Sequence, residues 1–278
     1  MARRLSEEYP TAFLTGAGSG LGLAFADMLV AEGVRVWGTS RDPVRLPPDS
    51  AQFHPVRLDL ADAGEALGAF RGAEAAAGGA FDLVVNNAGF GVFGEFDALP
   101  SAAWEAQVEA MLIANIRLAH AAYSGMRGRG RGCLVNVSSM AAEFPLPFMS
   151  GYNVAKAGLS ALSESLLFES MGTGVRVIDF RPGDYRTAFN RAMQPKPPVQ
   201  GTARRTDAVW RVLEANLSAS PSPARAAADL RGALRGRRRG IVCSGSVFQV
   251  RVAPLLARLL PSGVVRAGAA RYFGLTGR

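Results

Sequence analysis

Lysine is nearly missing from these 278 residues: of 31 basic side chains only Lys156 and Lys196 are lysine, and the other 29 are arginine. Cysteine is equally sparse. Cys133 and Cys243 lie far apart with no C-x-x-C or Cys/His cluster near either, which excludes a disulfide framework and a zinc site and leads us to expect a reduced, cytoplasmic compartment. The two histidines, His54 and His120, lack a metal-ligand partner at sensible spacing, so metal catalysis is not expected. No uncharged apolar run is long enough to span a bilayer, and Glu7 and Glu8 stand where a signal peptide needs an apolar stretch. Acids are outnumbered, 23 against 31, for a net charge of +8. The arginines are scattered without stacking aromatics between them, which argues against a nucleic-acid partner and for a bias of composition.

What is present is enough apolar material to bury a core, 49% of residues, with 19% charged. Short β-branched runs alternate with Ala/Leu-rich amphipathic stretches, the pattern of βαβ units. Strands are expected at Thr11 to Thr15, Val34 to Ser40, Phe53 to Leu58, Leu83 to Asn86, Cys133 to Val137, Val175 to Phe180 and Ile241 to Ser244. Helices are expected near 21–32, 62–77, 101–126, 151–171 and 223–235. The fold class that follows is α/β: a Rossmann-like, doubly wound parallel sheet of about seven strands with helices on both faces. We read residues 1–278 as a single dinucleotide-binding and catalytic domain. Residues 184–223, rich in Pro, Ser and Arg, read as an irregular substrate lid, and residues 248–278 as a C-terminal extension.

Thr15-Gly16-Ala17-Gly18-Ser19-Gly20-Leu21-Gly22 follows the first strand and opens the first helix, where glycines permit a tight turn and helix amides face a pyrophosphate. The second strand ends Ser40-Arg41, with no acid at the position that would repel a 2′-phosphate, so NADP(H) is favoured over NAD(H). The competing reading gives the ribose to Asp42. Tyr152 and Lys156 are four residues apart and share a helix face, so the ammonium is expected to lower the tyrosine pKa. Ser139, at a strand end, is placed to stabilise charge on a carbonyl oxygen.

The T-G-x-x-x-G-x-G loop, Asn86-Asn87-Ala88-Gly89, Asn115, Ser139, Tyr152-x-x-x-Lys156 and Pro182-Gly183 with Thr187 occur in the order found in short-chain dehydrogenase/reductases. From about Thr11 to Ile241 the chain resembles that family. The resemblance implies an alcohol/carbonyl oxidoreductase in which Tyr152 is the acid/base and Lys156 also holds the nicotinamide ribose. It implies that Asn115 holds a water linking Lys156 to solvent, and that Asp59, with Leu60 beside it, contacts adenine; capping of the next helix is an alternative role for Asp59. Ala155 departs from the serine common before the lysine.

Phe90, Phe93, Met140, Phe148 and Tyr185 are candidate substrate contacts, and with Phe189 they suggest a lipophilic substrate. A lipophilic pocket with a long tail resembles the retinol and 17β-hydroxysteroid dehydrogenase branch. The tail is expected to cover the pocket, join an interface or touch a membrane surface. The helices at 101–126 and 151–171 are candidates for a homodimer or homotetramer interface. The alternative to an enzyme is a cofactor-binding sensor or scaffold without turnover.

Overall fold

The computed structural model of this chain describes residues 3–187, 189, 193 and 203–275. Its seven strands are β1 (Thr11–Leu14), β2 (Arg35–Ser40), β3 (Phe53–Arg57), β4 (Leu83–Asn86), β5 (Gly132–Val137), β6 (Val175–Pro182) and β7 (Gly240–Ser244). They form one sheet in the order β3-β2-β1-β4-β5-β6-β7, and every pairing is parallel. The expected strands are all found, with ends displaced by two residues at most.

The helices are α1 (Gly20–Ala31), α2 (Ala63–Ala77), α3 (Ser101–Val108), α4 (Ala114–Arg129), α5 (Ser150–Glu169), α6 (Ala203–Ala219), α7 (Pro223–Arg235), α8 (Ala253–Leu259) and α9 (Ser262–Tyr272). Both sheet faces are covered, because strands read as continuous apolar runs need partners on each side. One face packs Ala12, Leu14, Val36, Val85, Val135 and Ile178 with Phe25 of α1 and Leu230 of α7. The other packs Phe13, Trp37, Val84, Leu134 and Val177 with Phe70 of α2 and Leu118 of α4. There Phe13 meets Phe70 edge-on, ring centres 4.9 Å apart.

Two expectations need correction. The run anticipated as one helix over 101–126 is broken by a π turn at Glu109–Ile113. The segment 184–223 was expected to be irregular, yet α6 occupies Ala203–Ala219 with Val209 and Leu213 buried. Those two residues, four apart, are a helical signal that the surrounding Pro, Ser and Arg obscured. The rest of the expected lid, at 188, 190–192 and 194–202, lies outside the described residues.

Candidate active site

Parallel strands deliver their following loops to one edge of the sheet, and between β1 and β4 the strand order reverses, opening a crevice there. The loops after β1, β4, β5 and β6 meet along that edge. Thr15 Oγ1 accepts hydrogen bonds from the backbone amides of Asn87 and Ala88, both at 2.9 Å, and Asn87 Nδ2 donates to the Thr15 carbonyl at 3.0 Å. The glycine loop and the N-N-A-G loop are thereby held as one unit.

The glycine loop has the shape of a phosphate cradle. Gly16 has φ of +73°, and a Cβ on Gly22 would stand 2.0 Å from the Gly16 carbonyl oxygen and 2.6 Å from Asn87 Nδ2. Ser19 caps α1 without a side-chain hydrogen bond, which leaves the amides of the first turn, including those after Gly20 and Leu21, to a ligand. Thr187 lies 3.5 Å from where a Gly20 Cβ would be, so the segment after Pro182-Gly183 borders the same loop. These residues fit the pyrophosphate of a dinucleotide.

At the end of β2, Ser40 Oγ accepts from the Asp42 amide at 3.2 Å. Asp42 is committed elsewhere: its carboxylate accepts from the Val44 amide at 3.2 Å and pairs with Arg45 at 3.3 Å. Arg41, next along the chain, is exposed. Arg45, which the motif reading missed, has its Cβ 3.2 Å from where a Cβ on Gly18 would stand. The short turn Pro43–Arg45 folds it over the glycine loop, and no sequence spacing announces that. Asp59 forms a local turn with the Ala61 amide at 3.0 Å, and Leu60 is buried beside it. The capping alternative for Asp59 is not realised, since Asp62 caps α2 through Gly64 and Glu65, both at 2.9 Å.

At the reacting end, Ser139 Oγ accepts from the Ala141 amide at 3.0 Å and is hydrogen-bonded to Tyr152. Lys156, buried one turn further along α5, donates to the Val137 carbonyl at 2.7 Å, with Nζ 5.8 Å from the Tyr152 ring centre. Nζ lies 3.7 Å from where a Cβ on Gly89 would be, so it borders the N-N-A-G loop as well. The expected effect on the tyrosine is overturned. Burial pushes the Tyr152 pKa up to about 12, with Asp184 adding to the rise, and the Ser139 hydrogen bond opposes it only in part. Burial takes Lys156 down to about 8, against the attraction of Asp179. The ammonium sits too far to the side, anchored on Val137, to offset the loss of water around the phenol.

Asn115 is buried behind this group. The π turn frees carbonyls from the α-helical ladder, and Asn115 Nδ2 donates to two of them, Met111 at 2.9 Å and Ala110 at 3.3 Å. Its Oδ1 is a buried acceptor with no protein partner among the described residues, the kind of group that ordered water satisfies.

Sequence reasoning did not find the network under Lys156. Asp179 of β6 is fully buried and accepts from Ser138, from Ser160 at 2.7 Å and from Arg181 Nε at 2.8 Å. Arg181 also donates to Ser160 at 2.8 Å and lies 3.6 Å from Glu143. A buried aspartate in a strand looks like a fault by periodicity; only the arginine two residues on hints at the pair.

Tyr152 borders an apolar cluster. Phe93, Met149, Met193, Val209, Leu213 and Phe273 are buried together, with Phe148, Phe189 and Tyr152 packed against them. Phe93 stacks edge-on against Phe148 and Trp210, at 5.8 and 5.1 Å. Phe148 adopts φ of +61°, a conformation unusual for a bulky residue and frequent at functional sites. Three expected substrate contacts lie outside this cluster. Tyr185 is in the core under α1 and α7, bonded to Ser244 at 2.5 Å. Phe90 packs on the second core cluster, and Met140 is buried after Ser139 outside the cluster beside Tyr152. Alternation along the loops could not reveal which way these side chains turn.

Comparison with known proteins agrees with the geometry. Residues 10–198 match the model of the short chain dehydrogenase family. An uncharacterized oxidoreductase of Myxococcus xanthus is 41% identical over 204 residues, 67% of this chain and 78% of that protein. A 3-ketodihydrosphingosine reductase of Bacteroides thetaiotaomicron is 29% identical over 178 residues, and the match spans 64% of its length. Among solved structures, a short-chain dehydrogenase from Streptomyces avermitilis superposes with a TM-score of 0.79 at 28% identity, covering 98% of both chains. With the ordered motifs, the sheet order and a family match over most of the chain in agreement, the protein belongs to the short chain dehydrogenase family and is an oxidoreductase acting on CH–OH groups.

Proposed function

We propose that the chain is an NADP(H)-dependent oxidoreductase that interconverts a lipophilic alcohol and its ketone or aldehyde. The observation that carries this is the Tyr152 hydroxyl, hydrogen-bonded to Ser139 beside the buried Lys156 and packed against an apolar cluster. A bound nicotinamide supplies or accepts the hydride. In the reductive direction Tyr152, protonated across the physiological range, gives its proton to the carbonyl oxygen as charge develops there, and Ser139 donates a hydrogen bond to the same oxygen. Lys156 orients the ribose end and, through water held near Asn115, returns a proton to Tyr152. The glycine loop holds the pyrophosphate, and Ser40, Arg41 and Arg45 favour the 2′-phosphate form.

The apolar side chains around Tyr152, among them Phe273 from the C-terminal extension, support a lipophilic substrate. Neither cysteine is in a disulfide, in keeping with a cytoplasmic location. Exposed Val154 and Phe168 on α5 suit a symmetric contact between copies.

Screening aliphatic and aromatic ketones by loss of nicotinamide absorbance tests the reaction, with NADPH expected to outperform NADH. Arg41→Ala combined with Arg45→Ala is expected to weaken NADPH binding by about tenfold or more and leave NADH nearly unaffected, as one charge-assisted contact is worth roughly 1.5–3 kcal/mol. Equal losses for both cofactors in a fluorescence titration would defeat the assignment.

A further inference from the structure

Along the tail, Phe248, Val252, Leu255 and Leu259 recur at i, i+4, i+7 and i+11, a single stripe on the continuous helical run formed by the π turn Phe248–Val252 and α8. A helix docked on its own protein turns such a stripe inward. Here it faces out: these four residues, with neighbouring Leu256 and Leu260, are 39–71% exposed. The run is held to the body instead through Gln249, whose Nε2 donates to Asp184 at 2.6 Å and whose Oε1 accepts from the Asp184 amide at 3.3 Å. Val264 and Tyr272 of α9 are exposed as well.

The charge around the stripe has one sign. Residues 230–278 contain ten arginines and no acid, while the first 229 residues, with 21 basic and 23 acidic groups, are almost neutral. Arg231, Arg235 and Arg237 are matched by Glu32 and Glu8. Arg251, Arg266 and Arg271 have no carboxylate partner among the described residues. We propose that this outward apolar stripe, flanked by unmatched arginines, seats the protein on an anionic lipid surface, with the leucines and Phe248 entering the headgroup boundary and the arginines on lipid phosphates.

Two other occupants fit less well. A second copy meeting this face symmetrically would set arginines against arginines with no acid in the whole segment to separate them. Residues 190–202 of the same chain carry Arg191 and Lys196 and no acid, and so cannot neutralise it. The consequence concerns access. Gln249 touches the segment after Pro182-Gly183, and Phe273 packs in the apolar cluster beside Tyr152, so a tail lying on lipid holds that side of the site beside the bilayer. This extends the lipophilic-substrate reading, but lipid binding is measurable without any substrate.

The test is co-sedimentation of the full chain with vesicles of phosphatidylcholine alone or with added phosphatidylglycerol. Binding is expected to be at least about tenfold tighter to the anionic vesicles, since each arginine near such a surface contributes roughly 1 kcal/mol, and to weaken as salt is raised. Leu255→Glu with Leu259→Glu, and separately Arg251→Gln with Arg266→Gln, should each abolish it while thermal unfolding and NADPH binding stay at the parent's values. Absent binding, equal binding to both vesicle types, or preference for duplex DNA over vesicles would overturn the proposal. So would a stripe variant that changes the molar mass by light scattering without any vesicle binding in the parent, which would make the face a contact between copies.

Discussion

Replacing Tyr152 by phenylalanine is expected to lower kcat for carbonyl reduction by about 10²–10⁴-fold while NADPH affinity stays at the parent's value, because the substitution removes one proton donor and little else. The apolar ring keeps its place against Phe189, 5.7 Å away between ring centres. The pH profile separates the donor from its supporting cation. With the tyrosine pKa near 12, proton donation is available throughout the neutral range, so the parent's reductive kcat/KM should be level below pH 8. It should fall as the pH passes about 8, where Lys156 gives up its proton. Turnover by Tyr152→Phe at more than a tenth of the parent's rate would remove Tyr152 from the proton-transfer step. The buried lysine also has a thermodynamic signature: its pKa lies below that of an unfolded lysine, so its charge costs stability below about pH 8, and the cost fades as pH rises toward the ordinary value of 10.5.

Asp179→Ala should destabilise the fold by about 3–5 kcal/mol, the usual consequence of leaving one member of a buried ion pair alone. The remaining partner is Arg181, whose side chain is only 12% exposed and whose nearest other acid is Glu143, at 3.6 Å. Ser138 and Ser160 would lose their acceptor as well. Urea unfolding reads the loss directly, and an unchanged midpoint with unchanged slope would show the network to be energetically idle. The milder Asp179→Asn keeps an acceptor for the serines but deletes the charge that raises the Lys156 pKa. Its alkaline limb should therefore move to lower pH with cofactor affinity retained. A variant that unfolds easily yet keeps the parent's limb would assign Asp179 to stability alone.

The sequence by itself determined the seven strands, their parallel pairing and the residues of the dinucleotide crevice, because these depend on signals local to the chain. Alternating runs set strand and helix type, the strained Gly16 turn needs glycine, and Tyr152 and Lys156 share a face simply by being four apart on a helix. The scarcity of lysine makes Lys156 conspicuous in the sequence alone. Tertiary structure decided whatever depends on environment. Burial raised the Tyr152 pKa that proximity to lysine was expected to lower, since desolvation reflects everything packed around a group. The fold of the Pro43–Arg45 turn brought Arg45 to the glycine loop, and the crossing of β6 beneath α5 brought Asp179 under Lys156. Tyr185 went to the core under α1 and α7, while Trp210 and Phe273, distant in sequence, joined the apolar cluster beside Tyr152. The tail's amphipathic pattern was legible as a pattern, but only the structure shows that its apolar side faces outward, because periodicity gives the angle between residues and not the direction in which the helix is docked.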